Sequence, residues 1–127
     1  MTSSGGSRLW AAAAAFLGAT VIAFGARARY RRYLISGSSM LPSLRDGDCV
    51  LIDARAFAHR PPNVGEVVLA LVPAGIEVVK RVRHVDSAGR IWLHGDNPPE
   101  STDSRDFGPL GAADIGGLVL FRYWPLT

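Results

Sequence analysis

The chain contains a single lysine, Lys80, whereas its thirteen other basic residues are all arginine. It also contains a single cysteine, Cys49, which excludes an intramolecular disulfide bond. Cys49 lies in the apolar run DCVLID, and we expect it to be a small core residue. One cysteine and three scattered histidines lack the ligand spacing of a zinc site, so we expect no metal and no cofactor.

Acidic residues are missing from residues 1–32, which carry five arginines. Residues 33–127 carry nine basic and eleven acidic residues, a net charge of −2. The basic excess of the chain therefore belongs to its N-terminal part. Because the remainder has no cluster of basic residues of the kind that binds phosphates, we expect no nucleic-acid partner.

The N-terminal part contains one uncharged run, LWAAAAAFLGATVIAFG, at residues 9–25, and the basic segment ARARYRR follows it. As a helix the run would be about 26 Å long, slightly short of a hydrocarbon core about 30 Å thick. We predict that residues 1–32 form a disordered start, one hydrophobic helix that anchors the chain in membrane lipid, and a basic collar. A signal peptide cleaved near Ala26 or Ala28 and a buried soluble helix are the alternatives.

Residues 33–127 alternate short β-rich runs with turn clusters such as RDGD, VPAG and DSAG, without helical periodicity. The runs predict five strands, at residues 49–52, 66–72, 76–83, 90–95 and 118–124. We therefore predict one domain that is mainly β, compact and mostly antiparallel, preceded by the N-terminal hydrophobic helix.

The sole lysine lies in the stretch IEVVKRVR, whose alternation predicts a strand. One face of that strand is apolar apart from the lysine and consists of Ile76, Val78, Lys80 and Val82. Burial disfavours an ammonium and lowers a lysine pKa by up to about 3–5 units, whereas an arginine stays protonated. Lys80 is therefore a candidate general base, with a surface charge as the alternative.

Two polar loops have compositions that are unusual for ordinary turns. SGSSMLPSLRDGD, residues 36–48, contains four serines and also Met40 and Leu41, which we expect to pack beside a groove. GDNPPESTDSRDFGPL, residues 95–110, is long for a small domain, where such loops are often functional. Two interpretations of this loop are open. Either it is a solvated excursion, or an Asp–Arg pair locks it so that a serine hydroxyl contacts a neighbouring strand.

The ordered set SGSSMLP with GD, PPNVGEVV, VVKRV, GDN and STDSRDFGPL resembles the type I signal peptidase family of Ser/Lys proteases. The resemblance runs from about Ser36 to Arg122. It implies a signal-peptidase-like Ser/Lys protease domain at residues 33–127. It also implies a membrane-anchored serine endopeptidase that removes leader or signal peptides from precursor proteins, which bind as extended peptides and are cleaved after small side chains.

The resemblance also implies roles for single residues. Ser39 would be the nucleophile and Lys80 the general base. Ser101 would orient the lysine, and Asp103 and Arg105 would form a supporting ion pair.

The same resemblance makes the Ser39 N–H one oxyanion donor, with Gly37 beside it. Many bacterial members have a serine hydroxyl where this chain has Gly37. Met40 and Leu41 would contact the substrate. The short distance between VVKRV and GDN indicates a minimal form, similar in size to mitochondrial inner-membrane peptidases and small actinobacterial maturation proteases.

The charges and the resemblance predict opposite orientations of the chain in the membrane. The arginines after the hydrophobic run favour a cytoplasmic domain, whereas secretory peptidases act outside. We expect a single-pass protein of the cell membrane with its catalytic domain on the extracytoplasmic face. A dedicated maturation protease for one precursor, such as nickel superoxide dismutase, with a cytoplasmic catalytic domain is an alternative.

Three further alternatives concern the chemistry itself. The domain would bind extended peptides without cleaving them, would cleave itself as LexA-like repressors do, or would use a Ser/His/Asp triad. The candidate histidines for the triad are His59, His84 and His94. The presence of both Ser39 and Lys80 favours the Ser/Lys protease over these alternatives.

Overall fold

The computed structural model describes residues 29–126. Its strands are β1 (Tyr30–Leu34), β2 (Cys49–Asp53), β3 (Val67–Leu71), β4 (Glu77–Val85), β5 (Ile91–His94) and β6 (Ile115–Trp124). They form one six-stranded sheet in the order β1-β2-β6-β3-β4-β5, and the neighbouring strands pair antiparallel. A short helix, α1 (Ser104–Phe107), and 3-10 turns at Pro98–Glu100 and Ala112–Asp114 complete the described part. The predicted mainly β, antiparallel fold is confirmed.

β1 is not among the five strands predicted from the sequence. Its residues Tyr30–Leu34 pair with β2, and Tyr33 is the only one of them that is not exposed. Arg31 and Arg32, assigned above to the basic collar, belong to this strand, so the sheet begins before residue 33. An exposed edge strand with central charges shows no apolar alternation, and edge strands commonly carry such charges because they discourage pairing with other chains.

Two hydrophobic clusters fill the two sides of the sheet. Alternate residues of a strand point to opposite faces. In β3, Val68 and Ala70 belong to the first cluster, whereas Leu69 belongs to the second. Each fully buried aliphatic side chain stabilises the fold by about 1.5–3 kcal/mol. The second cluster also contains Val79, which lies on the face of β4 opposite that of Lys80, so this strand is apolar on both faces around Lys80.

Within residues 29–126, no helix is long and apolar enough to cross a membrane. The predicted anchor helix at residues 9–25 and the start of the predicted basic collar lie outside the described residues.

Candidate active site

Lys80 lies in the middle of β4, directly opposite Val68 of β3. Its side chain is buried, with 4% of the residue surface exposed, on the same face of the strand as Val82. Burial lowers the pKa of Lys80 from its ordinary value. The carboxylate of Asp103 acts in the opposite direction, and the guanidinium of Arg105 adds to the lowering. An amine with a depressed pKa therefore sits on an apolar strand face.

A short chain of hydrogen bonds holds the amine of Lys80. Its Nζ donates to Ser101 Oγ at 3.2 Å, and Ser101 Oγ donates to Asp103 Oδ2 at 2.7 Å. Because a hydroxyl carries one hydrogen, the Ser101 proton is committed to the carboxylate and the hydroxyl oxygen faces the lysine as an acceptor. Ser101 thus fixes the direction of one N–H of Lys80 and leaves the rest of the amine for another partner.

Asp103 is the member of this hydrogen-bonded chain that is held by the most hydrogen bonds. It is fully buried, caps the start of α1, and accepts hydrogen bonds from the Gly95 N–H at 2.9 Å and from Arg105 Nε and Nη2 at 2.9 and 2.8 Å. Burial would raise the pKa of Asp103, but the bonds from Arg105, Gly95 and Ser101 outweigh it and hold the pKa well below its ordinary value. Asp103 is therefore an anion at neutral pH and a fixed acceptor for Ser101.

The long loop, residues 95–110, is held against the free edge of β5. The Ile91 N–H donates to Leu110 O at 2.8 Å, and the Leu93 N–H donates to Ser104 Oγ at 2.8 Å. The Gly95 N–H is the third amide in this row that bonds to the loop, and it donates to the carboxylate of Asp103. Alternate amides of an edge strand need partners when they are buried, and loop groups supply them here. These bonds hold the loop at Gly95 before Ser101 and at Asp103 and Ser104 after it.

The serine loop, residues 36–48, is brought to the same place by the GDN sequence at residues 95–97. The Asn97 N–H donates to Ser39 O at 2.9 Å, and Asn97 Nδ2 donates to Ser38 O at 2.9 Å. A Cβ on Gly95 would lie 2.6 Å from both Ser39 O and Ser101 Cβ. The absence of a side chain at Gly95 therefore allows the two loops to approach each other.

Arg81, next to the lysine, provides a second link between β4 and both loops. Its Nε and Nη2 atoms donate to the two carboxylate oxygens of Asp96, each at 2.8 Å. Asp96 Oδ2 also accepts from Ser43 Oγ at 2.6 Å, in the serine loop. Reasoning from the sequence assigned no role to Arg81, Asp96, Asn97 or Ser43. The available signal was the placement of GDN directly after a strand and of an arginine directly after the lysine.

Ser39 and Lys80 line the same cavity, which has a volume of about 250 Å³. The remaining lining residues are Tyr33, Ile35, Ser36, Met40, Ile76 and residues 77–79 of β4. Met40 is buried in the second hydrophobic cluster beneath the cavity, whereas Leu41 is half-buried and lies outside the lining. A larger hollow of about 510 Å³, between the serine loop and the end of β6, contains neither Ser39 nor Lys80.

Gly37 has a φ of +87°, a conformation that residues with a side chain rarely adopt. Its N–H donates to Asp46 Oδ1 at 2.7 Å. The backbone amide at this position is therefore already bonded to a carboxylate. The three histidines that were candidates for a triad are not part of the cavity lining within the described chain.

Sequence comparisons identify relatives of this chain among known peptidases. Residues 25–116 match the family model described as Peptidase S24-like. Mitochondrial inner membrane protease subunit 1 of Schizosaccharomyces pombe is 35% identical over 114 residues, which cover 72% of this chain and 72% of the relative. The Xenopus tropicalis protein of the same name is 31% identical over 114 residues, 73% of this chain and 68% of the relative. Probable signal peptidase I-1 of Synechocystis sp. is 25% identical over 141 residues, covering 76% and 71%.

The antiparallel β fold and these relatives define a peptidase of the signal-peptidase-like class. More narrowly, the chain belongs to the Peptidase S24-like family. The resemblance to signal peptidases inferred from the ordered motifs is thereby confirmed.

Proposed function

We propose that this protein is a membrane-anchored serine endopeptidase that removes leader or signal peptides from precursor proteins, with Ser39 as the nucleophile and Lys80 as the general base. One observation carries the proposal. The Lys80 amine is buried, has a lowered pKa, and is held by Ser101 in the wall of a cavity that Ser39 also lines. This combination suits a base, because a serine hydroxyl is a weak nucleophile until its proton is removed.

The proposed acylation step transfers one proton twice. Neutral Lys80 takes the proton of Ser39 Oγ while the oxygen attacks the carbonyl carbon of the scissile bond. The ammonium then gives this proton to the departing amine, which leaves as the new N-terminus of the mature protein. In the second half of the reaction, Lys80 takes a proton from water while the water oxygen attacks the carbonyl carbon of the Ser39 ester. The Lys80 ammonium then returns a proton to Ser39 Oγ as the ester bond breaks, so the leader peptide leaves with a carboxyl terminus and both side chains return to their starting states.

Ser101, Asp103 and Arg105 act on this chemistry through the position of the amine. Arg105 and the backbone keep Asp103 ionised, Asp103 takes the Ser101 proton, and Ser101 then accepts one N–H of Lys80. With that N–H directed to Ser101, the lone pair of the neutral amine is free to face Ser39. Such preorganisation lowers the cost of reaching the reactive geometry.

The Ser39 N–H is the proposed donor to the oxyanion of the tetrahedral intermediate, because a nucleophile's own amide lies next to the attacked carbonyl. Gly37 stays a proposed second donor. Its N–H is bonded to Asp46, so that bond must break before Gly37 can contribute. Stabilisation by one such donor is worth about 10²–10³ in rate.

The proposed substrate is a precursor bound as an extended peptide along β4, with a small side chain before the scissile bond. The cavity of about 250 Å³ beside Ser39 suits small side chains. Its apolar wall, formed by Ile35, Met40 and Val79, favours uncharged ones. Among the relatives, names such as inner membrane protease and signal peptidase support a processing role. We propose that an anchor at residues 9–25 holds the site beside membrane lipid, with the domain on the extracytoplasmic face, as the resemblance to secretory peptidases implies.

The test is cleavage of a panel of precursors by the detergent-solubilised protein, with the new N-termini located by mass spectrometry. We expect one cut per accepted precursor, after a small residue, and background activity from Ser39→Ala. Ser38→Ala is the matched control, because Ser38 contacts Asn97 through its carbonyl, which the substitution retains. Equal cleavage by Ser39→Ala and wild type would refute the proposal, and binding of precursors without cleavage would favour the non-catalytic alternative.

A further inference from the structure

The substrate-binding edge proposed above has a defined end. Ile76, just before β4, accepts a hydrogen bond at its backbone O from the Val72 N–H. Within β4, the Val82 N–H donates to Glu66 O, so the even-numbered residues of β4 bond towards β3. Successive residues of a strand direct their backbone groups to opposite sides. Glu77 and Val79 therefore direct theirs away from β3, towards the side on which β5 lies.

β5 does not cover that part of the edge. It pairs with β4 only from Arg81 to Val85. The backbone groups of Glu77 and Val79 thus lie beyond the end of β5, where both residues line the cavity that contains Ser39. An added peptide strand forms its main-chain bonds with groups of this kind.

One of these groups is already occupied. Tyr33 Oη donates to Glu77 O at 3.2 Å. The side chain of Glu77 is tied to the same strand, because Arg31 Nη1 and Nη2 donate to its two carboxylate oxygens at 3.0 and 3.1 Å. These bonds join β1 to β4 although the two strands are not neighbours in the sheet. Tyr33 and Glu77 both line the cavity, so the bond between them forms part of its wall.

We propose that Tyr33 caps the substrate-binding edge of β4 at Glu77 and so limits the length of peptide backbone that the enzyme recognises. The inference rests on the proposed function, since it takes the edge of β4 as the site of the precursor. Glu77 lies three residues before Lys80, which is about 10 Å along a strand. That distance holds about three substrate residues, so residues further from the scissile bond find no backbone acceptor on β4.

Tyr33→Phe tests the cap, because it removes the hydroxyl and keeps the ring that packs on the second hydrophobic cluster. Peptides with two to six residues before the cleaved bond are compared by kcat/KM. For wild type, kcat/KM should rise up to about the third residue and then stay constant. For Tyr33→Phe, the next residue should raise kcat/KM by about two- to tenfold, the value of one additional hydrogen bond. N-methylation of that substrate amide should abolish the gain in the variant and have no effect on wild type.

Tyr30→Phe is the matched control, since Tyr30 lies on the same strand and is exposed. It should keep the length dependence of wild type. The proposal is overturned if wild-type kcat/KM keeps rising well past the third residue, or if Tyr33→Phe and wild type share one length dependence. If wild type cleaves no peptide of any length, the proposed function fails. The cap is then tested separately, by measuring how the affinity of Ser39→Ala for peptides depends on peptide length. The same two length dependences then support or overturn it.

Discussion

Replacing Gly95 by alanine tests whether the two loops must approach each other for activity. The added Cβ would lie 2.6 Å from Ser39 O and from Ser101 Cβ, well inside van der Waals contact. Ser39 O is a backbone atom, and Ser101 Cβ keeps its position when the side chain rotates, so neither contact is relieved by a side-chain rotation. Overpacking of this kind costs about 1–3 kcal/mol of stability. Relief of the contact moves Ser39 away from Ser101 and Lys80, and a displacement of about 1 Å at a reacting group costs about 100-fold in rate.

Gly111→Ala is a suitable control, because a Cβ at Gly111 would meet only Asp114 Oδ2, at an ordinary 3.8 Å. Precursor turnover and thermal unfolding are measured for both variants beside wild type. Gly95→Ala should lose about 100-fold in kcat, with a Tm lower by several degrees, while Gly111→Ala should match wild type. A Gly95→Ala protein with turnover within about twofold of wild type would show that the close approach of the two loops is not needed for activity.

Two further predictions follow from the surroundings of Lys80, and a third concerns the membrane orientation. Ser101→Ala should slow cleavage without abolishing it, because Lys80 loses its orienting acceptor. Asp103→Asn should also slow cleavage and should in addition lower the Tm. Normal rates and normal melting in both variants would contradict the supporting role of the two residues. Lys80→Met should be inactive yet more stable than wild type at neutral pH. Burial lowers the pKa of Lys80 in the folded state, so the unfolded chain binds more protons than the folded chain. The stability of wild type relative to Lys80→Met should therefore rise as the pH increases towards about 10.4, the ordinary lysine pKa. Chemical denaturation of both proteins over this range measures the difference. Protease added to intact spheroplasts should digest the catalytic domain if it faces outward, whereas a protected domain would favour the cytoplasmic maturation role.

The sequence was sufficient to predict the strands whose residues are apolar. β2, β3 and β5 are short apolar runs between turn residues, and their ends agree with the predicted ends within one residue. β6 begins at Ile115, before the predicted start at residue 118, because Gly116 and Gly117 read as a loop. Gly117 is instead pressed against β2, where a Cβ would lie 2.6 Å from Ile52 Cγ2. A glycine inside a strand often marks such a close approach, which only the packed sheet reveals.

The candidate site was predictable where a residue's role depends on its own strand or its own motif. The alternation around Lys80 placed it on an apolar face, and the structure has it buried there. The bonds of Asp96 and Asn97 to the serine loop were not predictable, because they join segments that are more than fifty residues apart in the chain. Such pairs are set by tertiary packing, and a single sequence carries no periodicity that reports them.

The pH dependence of cleavage by wild type and by Lys80→Arg tests the central claim most directly. Arginine keeps the positive charge and nearly the length of the side chain but cannot act as a base at usable pH. Precursor turnover is measured for both proteins from about pH 6 to about pH 10, a range that ends near the ordinary lysine pKa. The account predicts that the wild-type rate rises with pH through a lysine pKa below its ordinary value, and that Lys80→Arg is inactive throughout. Substantial turnover by Lys80→Arg would contradict it and would make Lys80 a structural charge.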